Sequence, residues 1–387
     1  MVRLAFTIHF NRTWLGGINV IVSLINSILS IQNLNSKIKI ILLTNSKKKL
    51  SKLNISKKVE VIESFEFFNR SLFVRILDKA SIIFFNKKFF LEKFLKRYNI
   101  DFLSHTSIAT GKNSDIKSIV WIPDFQYLHF PNFFSLKYKI LKKLNILIYK
   151  NHVYKILLSS KSAFKDLQKI TNIHNSKILI NKFSFDVPNS KNLRSFSYLK
   201  KKYKLRKNYF YLPNQYWVHK NHKVVLEALV KTIKHGKKDV FIYSSGSKED
   251  YRDPQNFQNL FKYVKNNNIE KNYIYLGLIP FIDVMSLIFY STAVINPSLF
   301  EGWSSTVEQA KMYNKKIVLS NINVHREQNP KYAFFFNSHD SNKLSNIFQS
   351  INSIQNKKKK PIYKLSRIRK KNDNYIKNYI NLILKVR

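Results

Sequence analysis

One feature constrains this chain more than any other: an alternation of short apolar runs and longer amphipathic stretches that goes through the sequence twice. β-Branched, apolar runs at Arg3–His9, Ile38–Thr44, Val59–Glu63, Asp101–His105, Ser118–Pro123, Lys155–Ser159 and Lys177–Lys182 read as strands. Helical patterns lie between them, including Gly17–Ile31, Ser71–Tyr98, Ser135–Tyr149 and Ser162–Ile170. Strand followed by helix, repeated, predicts a parallel sheet covered on both faces. The polar stretch from Asp186 to Asn192 contains Pro188 and reads as a linker. The alternation then restarts. Strands are expected at Tyr209–Pro213, Val240–Ser244, Tyr273–Leu278, Ala293–Asn296 and Lys316–Leu319. Helices are expected at His222–Lys234, Asn256–Val264, Phe281–Tyr290 and Ser304–Tyr313. The reading is α/β: two Rossmann-like, doubly wound domains, 1–190 and 191–387, facing a central cleft at the carboxyl ends of their strands. The apolar spacing from Tyr375 to Leu384 suits a terminal helix, and residues from about 373 to 387 are a candidate for packing back on the first domain.

Composition narrows the function classes. With 387 residues, 44% of them hydrophobic, the chain can bury real cores, so global disorder is excluded. There is no cysteine, which removes disulfides, thiolate metal sites and cysteine nucleophiles and is compatible with a reducing cytoplasm. No run reaches the roughly 18 uncharged apolar residues of a membrane-spanning helix. The opening ten residues read as a first strand rather than as a secretory leader. The net charge of +46 raises nucleic acid or an anionic membrane as partners. The charge is spread evenly, however: residues 1–200 hold 34 basic and 10 acidic side chains, and residues 201–387 hold 34 and 12. An even spread favours whole-chain composition over a dedicated interface.

Four segments carry side chains suited to chemistry. Gly16 and Gly17 stand where the first strand hands over to a helix, and either form an ordinary tight turn or let an anion approach the backbone. Asp124 follows an apolar strand; it can hold sugar hydroxyls, or cap a turn. His129 nearby reads as a packing or rim residue. In the third segment, from Tyr209 to Ala228, Lys220 sits just before a helix, where a cation and the helix dipole together suit a diphosphate. His219 and His222 lack an acidic third ligand nearby and read as packed side chains rather than metal ligands. The fourth segment, from Asn296 to Lys311, is the most specific. A strand ends at Asn296-Pro297, Glu301-Gly302 makes a turn, and Ser304, Ser305 and Thr306 open a helix whose amides can bind phosphate. Glu308 lies one turn along that helix, either on a solvated face or within reach of a ribose.

The stretches Trp14–Asn19, Trp121–Phe134, Tyr211–Leu229 and Asn296–Gln328 resemble the retaining GT-B glycosyltransferases of family 4, closest to the mannosyl- and rhamnosyltransferase-like branch of bacterial surface-polysaccharide pathways. The resemblance implies transfer of a hexosyl group, mannosyl first, from a nucleotide-sugar donor to a glycan or lipid-linked saccharide, with retention at the anomeric carbon. It implies that the first domain mainly holds the acceptor and the second the donor. By position, Gly16 and Gly17 approach the donor phosphates and Lys220 binds the diphosphate. Glu301 holds the hydroxyls of the transferred sugar, Glu308 the ribose, and Asp124 borders sugar and acceptor; Asp124 and Glu301 are the candidate catalytic residues. Gln215, Gly302, Ser304, Ser305 and Thr306 complete the candidate donor site.

Three positions depart from the family pattern. Gln309 stands eight residues after Glu301, where a second acid is common, so Glu308 serves only with a one-residue shift. Gln215 replaces an Arg five residues before the phosphate Lys, and Pro123 replaces a His before Asp124. No catalytic His is therefore assigned. No Asp-x-Asp occurs, so no essential metal and no cofactor are expected, and the departing phosphate is expected to assist acceptor deprotonation in a front-face substitution. The location expected is cytoplasmic, with peripheral attachment to the inner face of the membrane through an interfacial helix in Arg70–Arg97, or else that stretch is a core-packed helix pair. The competing function is a basic nucleic-acid-binding protein; no specific nucleic acid is expected as partner of the transferase.

Overall fold

The structure is a computed structural model and describes residues 1–10, 15–31, 34, 36–51, 53, 55–183, 192–353 and 376–385. The chain divides into two compact units, one of Met1–Asp186 with Arg369–Arg387 and one of Val187–Ile368. The linker expected from Asp186 to Asn192 lies, but for Asn192, outside the described residues.

The first unit has seven strands: β1 Val2–Ile8, β2 Ile38–Thr44, β3 Glu60–Glu63, β4 Phe102–Thr106, β5 Lys117–Ile122, β6 Lys155–Leu158 and β7 Ile178–Ile180. All pair in parallel, in the order β3-β2-β1-β4-β5-β6-β7. The central runs lack strict alternation because both faces are covered: every residue of β4 is buried. The helices that cover them include α1 Leu15–Leu29, α2 Lys47–Leu50, α3 Phe65–Phe68, α4 Leu72–Phe85, α5 Phe89–Lys96, α6 Gln126–His129, α7 Leu136–His152 and α8 Lys161–Ile170. A recurrent local signal starts them. The hydroxyls of Ser46, Ser64, Ser71, Ser135 and Ser160 each accept a bond from the amide three residues on, which satisfies one of the orphan donors of the first turn.

The helical pattern over Ser71–Tyr98 is broken into two helices. Asn86 takes a left-handed conformation, φ 55°, and ends α4. Lys88 cannot cap α5, and the buried Asp78 of α4 does so instead: its Oδ1 accepts from Phe90 N at 3.1 Å while its Oδ2 accepts from Arg70 at 2.9 Å. Gly111 is indispensable at this break, because a Cβ there would stand 2.2 Å from the Asn86 carbonyl oxygen.

The second unit opens with α9 Phe196–Tyr203 and has six strands: β8 Phe210–Leu212, β9 Ile242–Ser244, β10 Tyr273–Tyr275, β11 Ala293–Asn296, β12 Ile317–Ser320 and β13 Ala333–Phe336. They too are parallel, ordered β10-β9-β8-β11-β12-β13. The covering helices are α10 His222–Lys234, α11 Asn256–Asn266, α12 Phe281–Tyr290, α13 Ser305–Met312, α14 Asn323–Gln328 and α15 Ser341–Ser353. The strand β13 and the helices α9, α14 and α15 extend the pattern read from sequence. The strand β13 completes the sheet edge, and α15 covers α10 and β8: the Thr232 and Ser345 hydroxyls lie 2.8 Å apart and Phe348 packs on Phe210.

A last helix, α16, spans 376–384 and belongs to the first unit. Tyr379 is fully buried there, and its hydroxyl bonds Ser104 Oγ in β4 at 2.6 Å. No helix among the described residues is long and apolar enough to cross a membrane.

Candidate donor site

In an open parallel sheet a crevice forms outside the carboxyl ends of the two strands where chain order reverses. In the second unit those strands are β8 and β11, adjacent in the sheet and running outward from it in opposite directions of chain order. The loop after β8 carries Asn214, Gln215 and Lys220; the loop after β11 carries Ser298, Glu301 and Gly302 and ends in α13. Topology therefore gathers two of the four segments singled out from sequence.

A chain of polar side chains fixes these loops. Thr306 Oγ1 donates to Asn214 Oδ1 (3.2 Å), and Asn214 Nδ2 donates to Asn296 Oδ1 (3.1 Å). Asn296 Nδ2 donates to Ser304 Oγ (2.6 Å), which also accepts from Val307 N as the cap of α13. The Ser298 hydroxyl stands 2.7 Å from both Asn296 Oδ1 and Glu301 Oε1. Lys220 Nζ completes the chain, donating to Glu301 Oε1 at 2.7 Å. Burial alone pushes the Glu301 carboxyl up, but the Lys220 charge and the Ser298 hydrogen bond outweigh it and hold the group below its usual range.

Beneath the loop lies a second network. His222 Nε2 donates to the Gln215 carbonyl (3.1 Å), which leaves Nδ1 to accept from the Tyr273 hydroxyl (3.0 Å). Tyr216 stacks on that imidazole with centroids 4.1 Å apart. Burial lowers the His222 pKa to about 4, so the ring is a neutral spacer. His219 is buried beside Trp217. Both histidines are thus buried, packed side chains. Among the described residues no group of three or more His, Asp or Glu is placed to hold a metal ion.

The remaining candidates divide. Ser305 opens α13 beside Ser304. Glu308 is buried, and its Oε1 accepts from Lys311 Nζ (2.8 Å) and Gln328 Nε2 (3.0 Å), so α13 and α14 together orient it; Gln309 is buried behind it. In the first unit, Gly16 and Gly17 fall within the first turn of α1, where φ is helical, so positive φ is not what glycine supplies there. An added Cβ at Gly16 would meet nothing within 4 Å, which leaves its backbone approachable. Residues 11–14 lie outside the described ones. Asp124 Oδ1 accepts from Gln126 N at 3.0 Å, the turn-capping geometry. His129 pairs with Asp166 at 2.7 Å.

Sequence reasoning passed over His105. It is the penultimate residue of β4, beside β1 at the order reversal of the first sheet, with φ 48° and a register shift between Ser104 and Thr106. Its ring is buried among Phe6, Trp121 and Tyr379, with Nδ1 3.0 Å from Ser104 Oγ, and burial lowers its pKa to about 3. A non-glycine residue in the left-handed region cannot be recognised from one sequence.

Residues 190–367 match the family model described as Glycosyl transferases group 1. Solved structures share the architecture over nearly the whole chain. HepE of Anabaena, in complex with UDP-glucose, superposes with a TM-score of 0.67 at 12% identity, covering 91% of this chain and 90% of that one. A glycosyltransferase from Rickettsia africae ESF-5 gives 0.62 at 17% identity, covering 99% and 96%. WaaG, a glycosyltransferase involved in lipopolysaccharide biosynthesis, gives 0.63 at 11% identity, covering 97% and 94%. None of the curated proteins matches the chain in sequence. The fold is GT-B, two parallel-sheet Rossmann-like domains. With the domain match in the second unit, the chain is a glycosyltransferase enzyme.

Proposed function

We propose that the enzyme moves a hexosyl group from a nucleotide-sugar donor to a glycan or lipid-linked saccharide, with retention, as a cytoplasmic member of family 4 working in surface-polysaccharide assembly. The observation that carries the reading is the Lys220–Glu301 contact at the β8/β11 reversal of the matched domain. A diphosphate entering there competes with Glu301 for the ammonium, and the released carboxylate accepts hydroxyls of the sugar. Amides of Ser305 and Thr306, with Gly302 before them, face phosphate oxygens, and negative charge on the leaving group is stabilised as it develops; the Ser304 amide, expected among them, instead donates to Gln328 Oε1 at 3.3 Å, so Ser304 positions the turn. Gln215 lines the same loop, and Glu308, steadied by Lys311 and Gln328, takes the ribose. By the sequence resemblance, Gly16 and Gly17 are assigned to the donor phosphates and Asp124 to the acceptor. No cofactor or essential metal has a part, since Lys220 and the amides supply the positive field.

Mannose is the sugar the sequence resemblance favours; the UDP-glucose bound by HepE supports a glucosyl donor as the second reading. The nucleic-acid-binding alternative is not favoured, because the domain match and the fold are those of transferases. The test is thermal unfolding of the full chain with GDP-mannose, UDP-glucose and dTDP-rhamnose. A donor at about a hundred times its Kd stabilises the native state by about 2.7 kcal/mol and raises Tm by about 5 °C. NMR of the product then reads the anomeric configuration. No shift with any nucleotide sugar, or an inverted product, overturns the proposal.

A further inference from the structure

Helix α7 has two apolar faces, and only one is used by the core. Ile146 and Tyr149 are buried in the cluster with Val120, Phe125 and Ile156. On the other side Leu136, Ile140, Leu144 and Leu147 recur at the spacing of one helical stripe, and all four are exposed, from 42 to 69%. Leu141 widens the stripe at 46%. A surface helix of a soluble domain keeps polar residues there. The neighbouring helix α4 joins the same core through Ile82 and likewise turns Phe73, Ile76 and Phe84 outward.

The charge around this apolar surface is predominantly positive, with Asp124 an acid that acts on Tyr138 and Lys142 of α7. From Phe125 to Lys165 the chain contains eight lysines and neither Asp nor Glu. On α7, Lys137, Lys142 and Lys143 are exposed; on α4, Arg75 and Lys79 are. The one acid of α4, Asp78, is buried and paired with Arg70. Aliphatic side chains flanked mainly by cations complement an interface of acyl chains beneath anionic headgroups. A second copy would set lysine against lysine, and a nucleic acid would leave the leucine stripe in water.

We propose that α7, flanked by α4, lies on an anionic lipid bilayer, its leucine stripe among the acyl chains and its lysines at the headgroups. The sequence reading placed an interfacial helix in Arg70–Arg97; here α7 carries the main contact. The consequence for the acceptor rests on the transferase reading above. Asp124, at the acceptor side, lies close enough to act electrostatically on Tyr138 and Lys142 of α7. A docked α7 therefore holds Asp124 near the bilayer surface, where an acceptor saccharide on a lipid anchor is presented.

The experiment is co-sedimentation of the full chain, without substrate, with phosphatidylcholine vesicles and with vesicles of phosphatidylcholine and phosphatidylglycerol. The expected result is binding to the anionic vesicles only, weakened by added salt, and reduced at least about tenfold in the double variant Ile140→Glu, Leu144→Glu. Both positions are exposed, and unchanged Tm and nucleotide-sugar binding establish that the variant is folded. Absence of binding by the wild type, or equal binding by the variant, overturns the proposal. So does a wild-type dimer that the variant dissolves into monomers, which would assign the stripe to a second copy. Vesicle binding without any nucleotide-sugar binding leaves the docking surface standing and removes only the acceptor consequence.

Discussion

Lys220 and Glu301, 81 residues apart in the chain, meet at 2.7 Å because the strands preceding their loops are neighbours in the sheet. The contact makes each residue both a ligand group and the other's counter-ion. Lys220→Ala should lower kcat/KM by about a hundredfold, the scale of losing one electrostatic donor. It should also cost about 3 kcal/mol of stability, since the buried carboxylate is left alone. Changing both residues, Lys220→Met with Glu301→Gln, should cost less stability than the sum of the singles. Urea unfolding of the four proteins gives the coupling; strict additivity would deny the pair.

The depressed pKa of Glu301 has a sign that can be read in pH. A carboxyl whose folded pKa lies below its unfolded value of 4.5 contributes stability that is fully present above 4.5. That contribution is lost as pH falls through the folded value. The stability difference between wild type and Glu301→Gln should thus stay constant from neutrality down to about pH 5 and shrink below the unfolded value. A wild-type advantage that instead grows as pH falls from neutrality towards 5 would mean a raised pKa.

Asn296 bridges Asn214, Ser298 and Ser304 in the interior. Asn296→Leu removes donor and acceptor together and should destabilise by about 1–3 kcal/mol through the unpaired partners. Because the loop bearing Glu301 is then loosened, KM for the donor should rise as well. A variant with reduced Tm but unaltered donor KM would separate the network from the site.

Gly16 offers a test in which stability and function move oppositely. Its Cβ space is empty and its φ helical, so Gly16→Ala should raise stability by up to about 1 kcal/mol. If donor phosphates approach that backbone, the same methyl should raise donor KM several-fold. Unchanged KM would remove Gly16 from the donor site.

Chelation checks the metal-free reading. Activity should survive EDTA and show no gain from added magnesium or manganese. Loss on chelation with recovery on adding either ion would show that Lys220 and the amides do not suffice.

The two sheets were legible in the sequence because parallel strands buried on both faces are unbroken apolar runs: Ile38–Thr44 and Ala293–Asn296 read with their observed bounds. The loops after β8 and β11 stood out in the sequence because serine, proline, glycine and a cation just before a helix each have few local roles. What sequence could not supply was partnership. Glu308 reads as a face residue until Gln328, twenty positions on, bonds to it. Asp78 has no local sequence signal for its role, which comes from α5 beginning over it. The left-handed His105 has no periodic signature at all. The outward leucines of α7 could not be told from inward ones, since periodicity counts apolar positions without saying which of two faces a neighbour covers.

The closing bond from Tyr379 to Ser104 spans 275 residues, with the whole of the second unit between its ends. During synthesis the second unit is a continuous stretch and can mature as it emerges, while the first waits for α16. A helix made after the whole second unit therefore seals a sheet made before it. A stop codon a few residues before Ile376 would spare the later-made half and unseal the older one.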